Sequence, residues 1–277
     1  MDSVEVVAAV IAGASLVGLS GLYATKYRGT PQSPFNTGAS WTRAGIYFSI
    51  CWLYSIAVGT FGKIVDAPIA TPEQLGNPSW WVWTVGCVLT ILVCYWVIWG
   101  RWTLHFGRPK DRAGQILFGV LWGSATGQVF VATFDLWDKT GWPTWAVWLG
   151  AWCTLGAFQG LFHDLWWDVH VTPEHDTPWS IQRKVPASHI PNLTITLTYL
   201  AIYENRLIFV GLQTLALVAA SVFQRMTVPW NPVPTPAAST EPGIFGIPRG
   251  CGFITDDPTP YDSQRAADRA ERAASLA

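Results

Sequence analysis

What most constrains this chain is a series of long apolar windows, several of which approach or exceed the roughly 20 residues needed to cross a bilayer. Hydrocarbon holds no water to satisfy a backbone amide, so segments of this kind pair their own backbone groups as helices. Half of the residues are hydrophobic, only 13% are charged, and 18 are tryptophan. A water-soluble domain of this size does not need so many large apolar side chains. The expected fold is all-α: a polytopic transmembrane helical bundle of about seven spans, with six as the other count. A Pro-rich, mostly extended tail over 229–277 follows a membrane domain over 1–228. The formal net charge of -1 gives no hint of a nucleic-acid partner.

Met1 to Glu5 lack the basic flank of a signal peptide, so the first span, about 4 to 25, reads as a retained helix. Further spans are expected at about 43 to 62, 79 to 100 and 113 to 134. The third has Trp80, Trp81 and Trp83 near one end and Tyr95, Trp96, Trp99 and Trp102 near the other, an aromatic belt at each headgroup boundary. The fourth carries Gly119, Gly123 and Gly127, which lie on one helix face and admit a second backbone closely. Asp135 to Pro143 reads as a turn, and a fifth span starts near Thr144. Residues 190–203 alternate polar and apolar as a strand would, but an unpaired strand cannot sit in lipid. They are read as a helix whose threonines face protein or a polar cavity. Glu204 to Arg206 interrupt, and a last span covers 207–224. Cys51, Cys87, Cys94 and Cys153 fall inside spans without any C-x-x-C spacing, and read as buried small apolar residues.

Lys26, Arg28 and Arg43, then Arg101, Arg108, Lys110 and Arg112, then Arg183 and Lys184 crowd alternate loops. The positive-inside bias puts those loops in the cytoplasm and the N-terminus outside. The tail, with Arg225, Arg249, Arg265, Arg269 and Arg272, is cytoplasmic with seven spans and external with six.

Against this apolar background, residues 159–189 stand apart. They hold His163, His170, His175 and His189, with Asp164, Asp168, Glu174 and Asp176 among them. On a helix, Gln159, His163 and His170 fall within about 40° of one another, and Asp164 and Asp168 share a second stripe. Thr172-Pro173 stops the helix, leaving Glu174, His175 and Asp176 in a connection, and His189 opens the next helix. Neutral imidazoles with carboxylates as ligands or orienting partners suit copper first, with iron or zinc as the other candidates. The metal candidates are His163, His170, His175, His189 and Asp168. The competing account is a hydrated interfacial loop, its carboxylates paired with Arg183, Lys184 or Arg206. His105, between Arg101 and Arg108, reads as a loop residue. Five histidines without H-x-x-x-H or H-x-x-H-H boxes exclude the membrane di-iron desaturase pattern.

The run from His175 through Thr177-Pro178 to Pro186-Ala187-Ser188-His189, entering an apolar helix, resembles the C subunit of copper membrane monooxygenases, the methane and ammonia oxidisers. That resemblance matches His175 and His189 to the family's two histidines. It departs at position 171, where Val171 stands in place of the family's Asp, and in lacking the later N-E-x-x-H segment. It implies copper, dioxygen chemistry, an electron donor and partner membrane subunits.

Three functions are therefore in play. One is a metal-dependent membrane oxidoreductase subunit acting on a small or hydrophobic substrate, with Asp164, Asp168 and Glu174 as catalytic or orienting carboxylates. The second is a membrane isoprenoid cyclase in which Asp164, Asp168 or Glu204 donates a proton. The third is a non-catalytic subunit of a membrane complex.

Overall fold

The computed structural model describes residues 37–99, 110–170 and 188–224, with Val228, Trp230 and Ala274; within the helices, side chains are described over 44–98, 110–158 and 188–223. The expected first span lies outside the described residues. All regular elements among the described residues are helices. Helix α1 covers Thr37–Val58 and is closed by Gly59, whose φ of 79° an L side chain would resist. Helix α2, Thr60–Val65, follows at once, so the span expected at about 43 to 62 is broken in two. Helix α3, Pro72–Leu75, starts in a capping box between Thr71 and Gln74. Helix α4, Pro78–Ile91, is capped by the Asn77 side chain and continues as a π-helical segment, Leu92–Trp99. Then come α5 (Arg112–Asp138), α6 (Thr144–His170), α7 (Ile190–Tyr203) and α8 (Arg206–Gln224). Helix α5 runs through Asp135, which sequence had placed in a turn.

Among the described residues, three helices are long and apolar enough to cross a membrane: Pro78–Ile98, Arg112–Asp138 and Arg206–Phe223. The apolar part of α1, Ala44–Val58, and the whole of α7 are shorter. At 1.5 Å per residue α7 extends roughly 21 Å, against a hydrocarbon thickness of about 30 Å. Val82, Val85, Leu89, Val93 and Val97 form an exposed stripe down α4, and Leu53, Ile56, Ile116, Leu117 and Val120 add to the apolar exterior. A helix in water turns such a stripe inward, so this surface is compatible with lipid.

Helix α5 is the centre of the bundle: 72% of its apolar window is buried, against 22% for α4. Its most extensive partner is α8, and the three glycines explain why. A Cβ on Gly119, Gly123 or Gly127 would lie 2.5, 2.4 or 2.9 Å from the Cα of Val218, Thr214 or Val210. The helices touch backbone to backbone, as the glycine spacing led one to expect. On another side α1 runs parallel to α5, and the two share buried hydroxyls and amides. Tyr47 Oη meets Thr126 Oγ1 at 2.9 Å, and Ser55 Oγ donates to Gln128 Oε1 at 2.6 Å.

Contacts fix the directions of the rest. Gly119–Val218 and Gly127–Val210 make α8 antiparallel to α5. Trp137 packs on Gly150 and its indole donates to Thr154, making α6 antiparallel to α5. Ser79–Tyr203 and Tyr95–His189 make α7 antiparallel to α4. Consecutive long helices therefore alternate in direction, and the bundle has two distinct ends. The first end gathers the finish of α1, helices α2 and α3, and the α7–α8 turn. The second gathers the π segment, the start of α5, the end of α6, the start of α7 and the end of α8.

Candidate functional site at the second end of the bundle

His189 is the one sequence-predicted ligand whose side chain is described. It precedes Ile190-Pro191, and the proline occupies the first turn of α7, where a missing N–H costs nothing. The imidazole makes no capping bond to that turn and is directed into the protein, 3% exposed. Its Nδ1 lies 2.7 Å from the Tyr95 hydroxyl, the rings meeting edge to face with centroids 5.4 Å apart. Tyr95 comes from the π segment of α4, and Ser188 and His189 are themselves π-helical. π-helical turns occur disproportionately at functional sites.

The pair is anchored to a buried polar chain. Asn192 Nδ2 donates to Tyr95 Oη at 3.4 Å and to Gln213 Oε1 at 3.3 Å. Gln213 Nε2 donates to Thr196 Oγ1 at 3.0 Å, and that hydroxyl donates to the Asn192 carbonyl at 2.6 Å. All five side chains are buried. This is where the polar alternation of 190–203 goes: Thr196 faces α8, and Thr194 accepts the indole N–H of Trp152 from α6 at 3.1 Å. Nothing in the sequence singled out Tyr95, Asn192 or Gln213; Tyr95 was read as part of an aromatic belt.

His163, Asp164, Asp168 and His170 lie on the last part of α6, at the end of the bundle that also holds His189. Their side chains lie outside the described ones, as do Glu174 and His175 altogether. From the Trp152–Thr194 contact, the rise of a straight helix puts His163 about 9 Å further out than His189 along the bundle, and His170 about 20 Å further. Among the described residues no group of three or more His, Cys, Asp or Glu side chains forms a metal-holding cluster.

A second buried charge centre sits at the opposite end. Asp135, 1% exposed, accepts Thr60 Oγ1 at 2.8 Å, Arg206 Nε at 3.1 Å and an Arg206 terminal nitrogen at 2.8 Å. Lys63 Nζ adds a contact at 3.6 Å, and Lys139 Nζ donates to the Val58 carbonyl at 2.8 Å. Arg206 is thus taken by Asp135, with Glu204 at 3.8 Å. The suggested pairing of Arg206 with the cluster carboxylates is corrected, because the α7–α8 turn carries it to the other end. Glu204, its side chain 73% exposed, lies at the same end and not in a buried cavity. It takes φ 50° and ends α7, while the Asn205 side-chain Oδ1 caps α8 by accepting Ile208 N–H at 3.0 Å. Cys51, Cys87 and Cys94 are buried as expected, but Cys153 is exposed on α6.

No protein-family model matches this chain, and no curated protein or solved structure matches it either.

Proposed function

We propose that this chain is a membrane-embedded, metal-dependent oxidoreductase subunit of the monooxygenase type, holding copper at the second end of the bundle. The observation that carries the reading is a buried imidazole, His189, held by Tyr95 at the end of the bundle where α6 delivers its own histidines. A buried polar side chain that does no structural capping asks for another role, and a ring oriented through one nitrogen is prepared to ligate through the other. The Nε2 of an imidazole lies about 4.5 Å from its own Cα and a metal–nitrogen bond adds about 2 Å. Axial spacing therefore favours His163 over His170 as the α6 partner of His189, with His175 from the connecting segment. Asp168 and Glu174 serve as further ligands or orient the imidazoles. The resemblance of 175–189 to copper monooxygenase C subunits selects copper over iron or zinc.

Seven spans with the N-terminus outside complete the reading. Alternating helix directions bring the helix ends that flank the sequence's basic connections, and the end of α8, to one side, which the positive-inside bias makes cytoplasmic. Dioxygen activation at copper consumes electrons, so a reductant and partner subunits belong to this function. The substrate is small or hydrophobic and enters from the lipid.

Metal analysis of the purified protein is the test. Stoichiometric copper, lost in both His175→Ala and His189→Ala, is the expected result. A protein that stays metal-free after incubation with copper, iron and zinc refutes the reading.

A further inference from the structure

We infer that Tyr95 is a positioning residue for the metal site: its hydroxyl sets the orientation of the His189 ring, and the chain from Asn192 to Gln213 holds that hydroxyl in place. This inference rests on the reading of His189 as a metal ligand.

An imidazole that ligates through Nε2 keeps its proton on Nδ1 and has to donate it. The Tyr95 oxygen, 2.7 Å away, is placed to receive it. The same oxygen receives Asn192 Nδ2 at 3.4 Å. Those two donors come from one turn of α7, while the acceptor comes from α4, so the phenol oxygen locks the mouth of α7 against the π segment. The Asn192 amide is held in turn by Gln213 of α8, whose own amide is held by Thr196. The result is a three-helix clamp in which each polar side chain has its orientation dictated by the next. Such a clamp exceeds what helix packing asks for. Along the stripe of Gly119, Gly123 and Gly127, the sequence achieves tight contact between α5 and α8 by the small size of glycine alone. Around His189 it places an imidazole, a phenol, two amides and a hydroxyl in a buried interior, where any unmade bond is costly. The π-helical backbone on both sides of the pair belongs to the same arrangement. A π turn is wider than an α turn, and here it occurs on both segments that supply the pair.

The experiment compares Cu²⁺ binding to the detergent-solubilised full chain, wild type against Tyr95→Phe, by titration and by electron paramagnetic resonance. Phenylalanine keeps the ring and removes only the hydroxyl. The expected result is a Cu²⁺ affinity lower by about 10- to 100-fold, with altered copper hyperfine splitting. Ser55→Ala, which removes another buried hydroxyl far from His189, controls for lost stability and leaves both readouts unchanged. Where Tyr95→Phe does not fold, Asn192→Leu takes its place and weakens binding in the same direction by a smaller factor. Wild-type affinity and an unchanged spectrum in the folded variant overturn the inference while the metal reading stands. Full Cu²⁺ binding by His189→Ala overturns it too, since His189 is then no ligand. A wild-type chain that binds no Cu²⁺ overturns both.

Discussion

Replacing Gly123 by alanine tests the packing that organises the bundle. The added Cβ falls 2.4 Å from Thr214 Cα and 3.1 Å from the carbonyl oxygens of Gln213 and Thr214. These are backbone atoms, so no rotamer change relieves the contact. An ordinary carbon–carbon approach is about 3.5–4 Å, so α8 has to move out by more than about 1 Å. Gly119 and Gly127 make similar contacts on either side, and any such movement loosens them as well. Overpacking of this kind costs about 1–3 kcal/mol. Alanine also favours the helical state over glycine by about 1 kcal/mol, which hides part of that cost. Gly211→Ala removes the ambiguity. Gly211 lies on α8 with nothing within 4 Å of its added Cβ, so it carries the propensity gain and no clash. The difference between the two variants then reports the clash alone, about 1–3 kcal/mol in favour of Gly211→Ala. Denaturant unfolding in micelles, followed by tryptophan fluorescence, measures it. Equal stability of the two variants refutes backbone contact between α5 and α8.

Two further outcomes follow from other parts of the bundle. Asp135→Asn leaves the guanidinium of Arg206, 12% exposed, without its buried carboxylate and with the exposed Glu204 at 3.8 Å, and should cost about 3–5 kcal/mol in the same unfolding assay. Making Arg206→Met as well should recover much of that loss, and strict additivity in the double-mutant cycle would sink the pairing. In a Cys251→Ser background, a membrane-permeant maleimide should add one label to the folded protein, at Cys153. Cys51 and Cys87, both fully buried, react only after denaturation, and more than one adduct under native conditions contradicts the packing of α1 and α4.

Sequence alone was enough to determine the all-helical class, the helix at 190–203, the interruption at Glu204 and the glycine-mediated contact. Each of these follows from a local rule: apolar length, lipid's intolerance of unpaired backbone, or the face on which residues four apart lie. It also marked His189, since an imidazole opening an apolar helix is conspicuous. Tertiary structure alone decided what His189 touches, because Tyr95, Asn192 and Gln213 are far apart in the chain and ordinary in their local settings. The same holds for Asp135, which looks like a turn residue until α8 folds back and brings Arg206 to it. Apolar periodicity says that a face is buried but not against which helix, and pairing of polar groups across helices depends on that choice.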